Sequence, residues 1–221
     1  MFVNSAPNFT AGPDQSASED GGAQSLAAWA TAISPGPPSD ASQSVTFSVT
    51  NDNGALFAVA PSVVSDGTLS YTPAADANGS AAVTVTAHDD GGTANGGSDT
   101  SAAQTFTITV DPVNDAPAFT AGADQTVLSV LGAQTVPGWA TGISPGPTNE
   151  SSQTLTFLVS ATNSGLFAVQ PAVSANGTLT YRPALLAVGT STVTVRLRDD
   201  GGSSQGGNDT SAPQTFTITI L

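Results

Sequence analysis

The chain has 221 residues, 17 acidic against 3 basic side chains, no cysteine and a formal net charge of -14. That balance repels phosphate backbones and anionic lipid headgroups, and one histidine without cysteine removes thiolate nucleophiles, zinc clusters and paired histidine bases. With 38% apolar and only 9% charged residues, beside 23 glycines and 15 prolines, the composition suits a folded β protein with polar faces rather than disorder.

The first residues, Met1-Phe2-Val3-Asn4, lack the basic and apolar regions of a signal peptide. They read as an engineered boundary or an internal excision point. No apolar run approaches the roughly 18 residues of a membrane helix, and the absence of cysteine leans towards a bacterial surface protein. Next comes Val3-Asn4-x-Ala6-Pro7-x-Phe9-Thr10-Ala11-Gly12, which recurs as Val113-Asn114-x-Ala116-Pro117-x-Phe119-Thr120-Ala121-Gly122. The same shift of 110 positions carries Trp29 to Trp139 and residues 104–109 to 214–219 without a gap. The chain is one unit written twice, so two domains are predicted, 1–112 and 113–221.

Within the first unit, residues 25–30 are read as a strand, because the twin stretch holds Pro137-Gly138 where a helix would need an interior. An irregular Ser34-Pro35-Gly36-Pro37 loop follows. Residues 45–50, 82–87 and 105–110 alternate apolar and polar with period two, the pattern of strands that bury one face. Turn chemistry separates them at Asn53-Gly54, Asp66-Gly67, Asn78-Gly79 and Asp90-Gly91-Gly92. About seven short strands per unit result, which predicts an all-β chain of two immunoglobulin-like Greek-key sandwiches in tandem, arranged end to end. Phe9, Trp29, Phe47, Phe57, Tyr71 and Phe106 each have a twin 110 residues on. A sugar- or base-stacking platform is the functional reading of that set, and a duplicated core is the reading favoured by the apolar phase of Phe47 and Phe106.

The carboxylates are spread unevenly and fall in loops and near unit ends, where hard oxygen ligands converge on calcium. The first unit and the junction carry most of them, without a single Lys or Arg. Three stretches bear a family resemblance: Thr84-Val85-Thr86-Ala87-His88-Asp89-Asp90-Gly91-Gly92, then Gln104-Thr105-Phe106-Thr107-Ile108-Thr109-Val110, then Val113-Asn114-Asp115-Ala116-Pro117-x-Phe119. Together they resemble the end of a cadherin repeat with its linker, and the chain looks like the cadherin-like tandem repeats of large bacterial surface adhesins. Residues 54–59 and 67–73 fit that family's middle strands, so the resemblance covers both units.

The resemblance implies calcium between successive domains. Carried over position by position, it assigns Glu19 as the early glutamate, Asp76 as the middle acidic position, Asn114 and Asp115 as the linker, and Asp199 as the second domain's contribution. The sequence departs from the pattern in having Ala140-Thr141-Gly142-Ile143 where the family has Asp-x-Asp, and Ser129-Val130 where the first unit has Glu19-Asp20.

Catalytic chemistry finds no support. Glu19 and Asp20 are adjacent and point to opposite faces of a strand, no nucleophile elbow or phosphate loop is present, and His88 becomes Arg198 in the twin unit. The loop from Asp89 to Asp99, repeated from Asp199 to Asp209, is read as a flexible hairpin loop. Asn8, Asn78, Asn149, Asn176 and Asn208 match the glycosylation pattern, which matters only in a host that glycosylates. Without lysine the chain forms no Lys-Asn isopeptide crosslink.

The expected role is a non-enzymatic spacer in an extracellular bacterial adhesin or surface fibre, stiffened by calcium, with neighbouring repeats as partners and neither nucleic acid nor membrane insertion. The alternatives are a carbohydrate- or protein-binding module and the subunit of a self-assembled filament.

Overall fold

A computed structural model describes residues 3–221; Met1 and Phe2, on which the reading of the chain's start falls, lie outside the described residues. The chain is all-β and divides into two compact units, the first ending at Pro112 and the second running Val113–Leu221.

In unit 1 the strands are β1 (Asn8–Thr10), β2 (Gln15–Ser18), β3 (Gln24–Leu26), β4 (Thr31–Ser34), β5 (Val45–Asn51), β6 (Phe57–Val63), β7 (Leu69–Pro73), β8 (Gly79–Asp89) and β9 (Gln104–Asp111). Unit 2 repeats them as β10 (Ala118–Thr120), β11 (Gln125–Val127), β12 (Gln134–Val136), β13 (Thr141–Ser144), β14 (Thr156–Ala161), β15 (Phe167–Val173), β16 (Leu179–Pro183), β17 (Gly189–Arg198) and β18 (Gln214–Ile220). The expected seven strands emerge when β1 with β2, and β3 with β4, are counted as interrupted single strands. The first break falls at Gly12-Pro13, where proline has no donor for a ladder. The second falls in the turn after Leu26, where Ala28 takes a φ of 53°. The predicted strand at 25–30 is therefore strand only to Leu26, and a backbone turn occupies the rest.

Each unit packs a four-stranded sheet, β2-β9-β8-β5, against a three-stranded one, β3-β7-β6, with β1 and β4 paired beside them. β2 runs parallel to β9, whereas β1 runs antiparallel to β4, so the split first strand serves two sheets. The alternating runs bury one face as expected: Val83, Val85 and Ala87 on β8, and Phe106, Ile108 and Val110 on β9. Phe9, Trp29, Phe57, Tyr71 and Phe106 are buried and Phe47 is half-buried against the same cluster. All six of their twins are buried in unit 2. The rings pair within the cores, Phe9 with Phe47 edge-on at 5.2 Å and Trp29 with Phe106 at 4.3 Å. These aromatics form two separate cores rather than a stacking platform. Gly67 shows how tight the turns are: its φ is +84°, its carbonyl accepts from Ala30 N–H at 2.9 Å, and a Cβ there would strike the Ala30 carbonyl.

Candidate functional site

A network of buried polar side chains sits at one end of each unit, built from the Val-Asn segment, the loop after the eighth strand and a short 3-10 turn. In unit 2, β17 hands Asp199 into the interior at its end, where it is 4% exposed. Asn114 Nδ2 donates to Asp199 Oδ1 at 3.0 Å and to the Asn208 carbonyl at 3.0 Å. The Asn114 side-chain oxygen in turn accepts from Gln153 Nε2 at 2.7 Å, and its backbone carbonyl accepts from Asn208 N–H at 2.8 Å. Gly201 N–H also donates to Asp199 Oδ1, at 2.9 Å. Only glycine suits position 201, because a Cβ there would collide with the Asn114 side chain.

Beside this, the turn Thr148–Glu150, entered through Pro147, points Glu150 inward. Glu150 is 6% exposed, and its Oε1 accepts the Asp115 N–H at 2.8 Å. Unit 1 builds the same frame. Asn4 donates to Asp89 Oδ1 at 2.7 Å, Gln43 donates to Asn4 at 2.8 Å, and Ser5 N–H donates to the buried Asp40.

Among the described residues, the buried oxygens Asp199 Oδ2, Asp89 Oδ2, Gln43 Oε1 and Gln153 Oε1 find no hydrogen-bond partner. A buried carboxylate oxygen without a donor is costly, and a hard cation is one group that would satisfy it. Among the described residues, no group of three or more His, Cys, Asp or Glu side chains gathers to hold a metal. The frame is thus an amide-and-carboxylate network with spare oxygens.

Glu19 and Asp76 belong to unit 1, at the end where β9 finishes. Glu19 is 2% exposed, its N–H donates to the Asp111 carbonyl at 3.0 Å, and its Oε2 accepts from Asn78 Nδ2 at 3.3 Å. Asp76 stands in an exposed turn with a φ of 57°. Of the five positions the resemblance assigns, the structure bonds Asn114 directly to Asp199, and it places Asp115 alongside Glu150 through its backbone. Gln153, Glu150, Gln43 and Asp40 escaped the sequence reading. Gln43 and Gln153 recur at the 110-residue spacing, as do the acidic positions 40 and 150, and that recurrence was the available signal.

His88 and Arg198 lie outside this frame. His88 sits between the hydroxyls of Thr86 and Thr100, at 3.2 and 2.9 Å. The loop after it closes through Asp89 N–H to the Asp99 carbonyl at 3.0 Å, the geometry of a hairpin. Arg198 Nε bonds Asp209 at 3.1 Å. The Thr210 hydroxyl, together with the charge of Arg198, holds the Asp209 carboxyl below its ordinary range.

No family model and no curated protein matches the chain. Solved structures do match its fold. Human protocadherin-24 EC1-2, in Form II, aligns with a TM-score of 0.56 at 18% identity, covering 97% of this chain and 98% of that one. Another structure of human protocadherin-24 EC1-2 gives 0.51 at 16% identity, covering 99% of each. Mouse cadherin-23 EC22-24 gives 0.52 at 13% identity, over 99% of this chain and 67% of that one. The fold is that of tandem cadherin-like β-sandwiches.

Proposed function

We propose that this chain is a non-enzymatic spacer, two stalk repeats of an extracellular bacterial adhesin or surface fibre whose neighbours are further repeats of the same kind. The observation that carries the reading is the closure of each unit on its own aromatic core, which takes the twinned aromatic rings out of the surface. A cadherin-like tandem fold suits such a role. A chain without disulfide or lysine crosslink must draw its rigidity from packing and bound ions.

Calcium is part of the proposal. The ion supplies a double positive charge to carboxylate and carbonyl oxygens. Asp199, through its unpartnered Oδ2, is the side chain that best fits such a charge. Glu19, Asp76, Asn114 and Asp115 are the remaining positions of the set. Asn114 has a prior duty in unit 2, since its amide holds Asp199 in place.

Solution scattering and calorimetry test this, with calcium and with chelator, on the native chain and on Asp115→Ala. Calcium should lengthen the maximum dimension of the native chain and leave the variant unaffected. A maximum dimension and melting transitions that ignore chelation would end the calcium reading. Turnover of a glycoside, ester or peptide that disappears with one carboxylate would end the spacer reading.

A further inference from the structure

The chain holds four Asn-Gly pairs, at 53–54, 78–79, 95–96 and 176–177. Such a pair carries a reaction of its own. The glycine backbone nitrogen, with no Cβ beside it to hinder the approach, attacks the asparagine Cγ. The bond from that nitrogen to Cγ forms, the bond from Cγ to the side-chain amide nitrogen breaks, and ammonia leaves. Water then opens the five-membered succinimide at either carbonyl, leaving aspartate in the ordinary chain or isoaspartate with an extra main-chain carbon. No oxidant, metal or enzyme enters the balance.

Ring closure needs a free side chain and a mobile glycine nitrogen, and at three of the four pairs the fold restrains them. Asn53 Nδ2 donates to the Ser80 carbonyl at 3.3 Å, and the Asn53 carbonyl accepts the N–H of the buried Leu56 at 3.2 Å. Asn78 Nδ2 donates to Glu19 Oε2 at 3.3 Å, and Gly79 opens β8, paired with Val110. Asn176 Oδ1 accepts from Ser174 Oγ at 2.6 Å and from Thr178 N–H at 3.2 Å, while Gly177 N–H is taken up by the Ser174 carbonyl at 2.8 Å. Asn95 differs. It is exposed, like Gly96, in the loop between β8 and β9, and among the described residues no partner takes up its side-chain amide. A Cβ at Gly96 would meet nothing within 4 Å, so the space for the ring is open. The backbone there is the short turn Ala94–Gly96, with Asn95 at a φ of 59° and a ψ of 24°, and Gly97 N–H bonded to the Ala94 carbonyl at 3.1 Å. Turning ψ so that the Gly96 nitrogen reaches Cγ opens this turn and no strand pairing, the least costly kind of local opening.

We propose that Asn95 is the modification site of the folded chain, the asparagine at which it deamidates spontaneously, and that unit 1 gains a charge there which unit 2 does not. The twin pair in unit 2 is Gln205-Gly206. Its longer side chain must fix one more rotatable bond to close a six-membered ring, so the reaction there is slower. The new carboxylate of unit 1 joins Asp89, Asp90 and Asp99 in one loop. That loop also holds Ser98, whose N–H donates to the Asn4 carbonyl at 3.1 Å and whose carbonyl accepts from Asn4 Nδ2 at 2.9 Å. Isoaspartate at 95 therefore lengthens the main chain of the loop that clasps Asn4. The inference stands apart from the spacer and calcium readings, since it needs neither a neighbouring repeat nor an ion.

The test incubates the full 221-residue chain at mildly alkaline pH, where the glycine amide loses its proton more readily. Peptide mapping by mass spectrometry then reads each Asn-Gly pair, with enzymatic methylation of isoaspartate as a second readout. In the native chain Asn95 should react at least about tenfold faster than Asn53, Asn78 or Asn176, whose restraints must open first. In guanidinium chloride the four rates should converge, because every side chain and glycine nitrogen is then free. Asn95→Gln places at this position the residue that unit 2 carries, so the fold accepts it, and circular dichroism checks this. The variant should lose the fast event and keep the three slow ones. A native chain in which Asn53, Asn78 or Asn176 reacts as fast as Asn95 overturns the proposal. So does an Asn95 that stays intact in the native chain while the unfolded chain deamidates.

Discussion

Asn114 donates from Nδ2 to Asp199 Oδ1 at 3.0 Å, and 110 residues earlier Asn4 makes the same bond to Asp89 at 2.7 Å. The bond ties the chain entering each unit to the loop leaving the eighth strand. In unit 2 the amide faces a buried carboxylate, in unit 1 a half-buried one, so in unit 2 its removal strands a desolvated charge. Asn114→Ala should therefore destabilise unit 2 by about 2 kcal/mol, as expected for a hydrogen bond to a charged group. Calorimetry should show a lowered unit 2 transition with that of unit 1 unmoved. An unshifted transition would mean that Asp199 is held adequately by Gly201 N–H alone.

Two alanines in unit 1 sit in left-handed backbone, Ala28 at a φ of 53° and Ala32 at 51°, and their twins are Gly138 and Gly142 at 64° and 58°. An L residue there costs roughly 1–2 kcal/mol, and the added freedom of glycine in the unfolded chain gives part of that back. Ala28→Gly and Ala32→Gly should each stabilise unit 1 by about 0.5 kcal/mol. Chemical denaturation of the single and double variants measures it. A lower midpoint in both would refute the strain argument.

The pH response follows from three aspartates whose carboxyls lie below the ordinary value. The Thr68 side chain lowers Asp66, the Thr154 backbone N–H lowers Asp200, and the Thr210 hydroxyl with Arg198 lowers Asp209. A depressed folded-state pKa favours the ionised form in the folded state. The stabilisation is complete above the unfolded value, near about 3.9, and is lost as pH falls through the lower folded values. At the alkaline end, burial raises Tyr71 and Tyr181, so stability should fall as pH rises above about 10. Carboxyl carbon shifts followed by NMR should give midpoints for these aspartates below that of a free aspartate. Midpoints at or above it would remove the acid-side argument.

The alternating strands were legible because a period of two admits one burial pattern: Val83, Val85 and Ala87 must share a face, and they do. The repeat disclosed the duplicated core for the same reason, since an aromatic kept at the same offset keeps its cavity. The break between Leu26 and Thr31 was harder to read. Nothing in Ala27-Ala28 announces a left-handed turn, and only the twin Pro137-Gly138 hints at one. Gln43 and Gln153 carry only the signal of their recurrence, because a glutamine in a loop looks alike whether it is solvated or clasps an asparagine amide.

The last prediction concerns Trp29, which joins three parts of unit 1. Its ring lies 4.3 Å from that of Phe106 on β9, its Nε1 donates to the Pro13 carbonyl at 3.1 Å, and it leaves no room for a Cβ at Gly12. Trp29 thus fixes the interruption between β1 and β2 against the opposite sheet. Removing the ring opens a cavity and frees the Pro13 carbonyl, and aromatic truncations in cores cost about 3–5 kcal/mol. Trp29→Ala should remove the unit 1 transition or lower it by tens of degrees, leaving unit 2 folded around Trp139. Gly12→Ala attacks the same contact from the other side and should cost about 1–3 kcal/mol through overpacking. Near-ultraviolet circular dichroism with calorimetry separates the two units, because Trp139 keeps its signal when only unit 1 melts. Loss of both transitions on Trp29→Ala would show that the units do not fold independently.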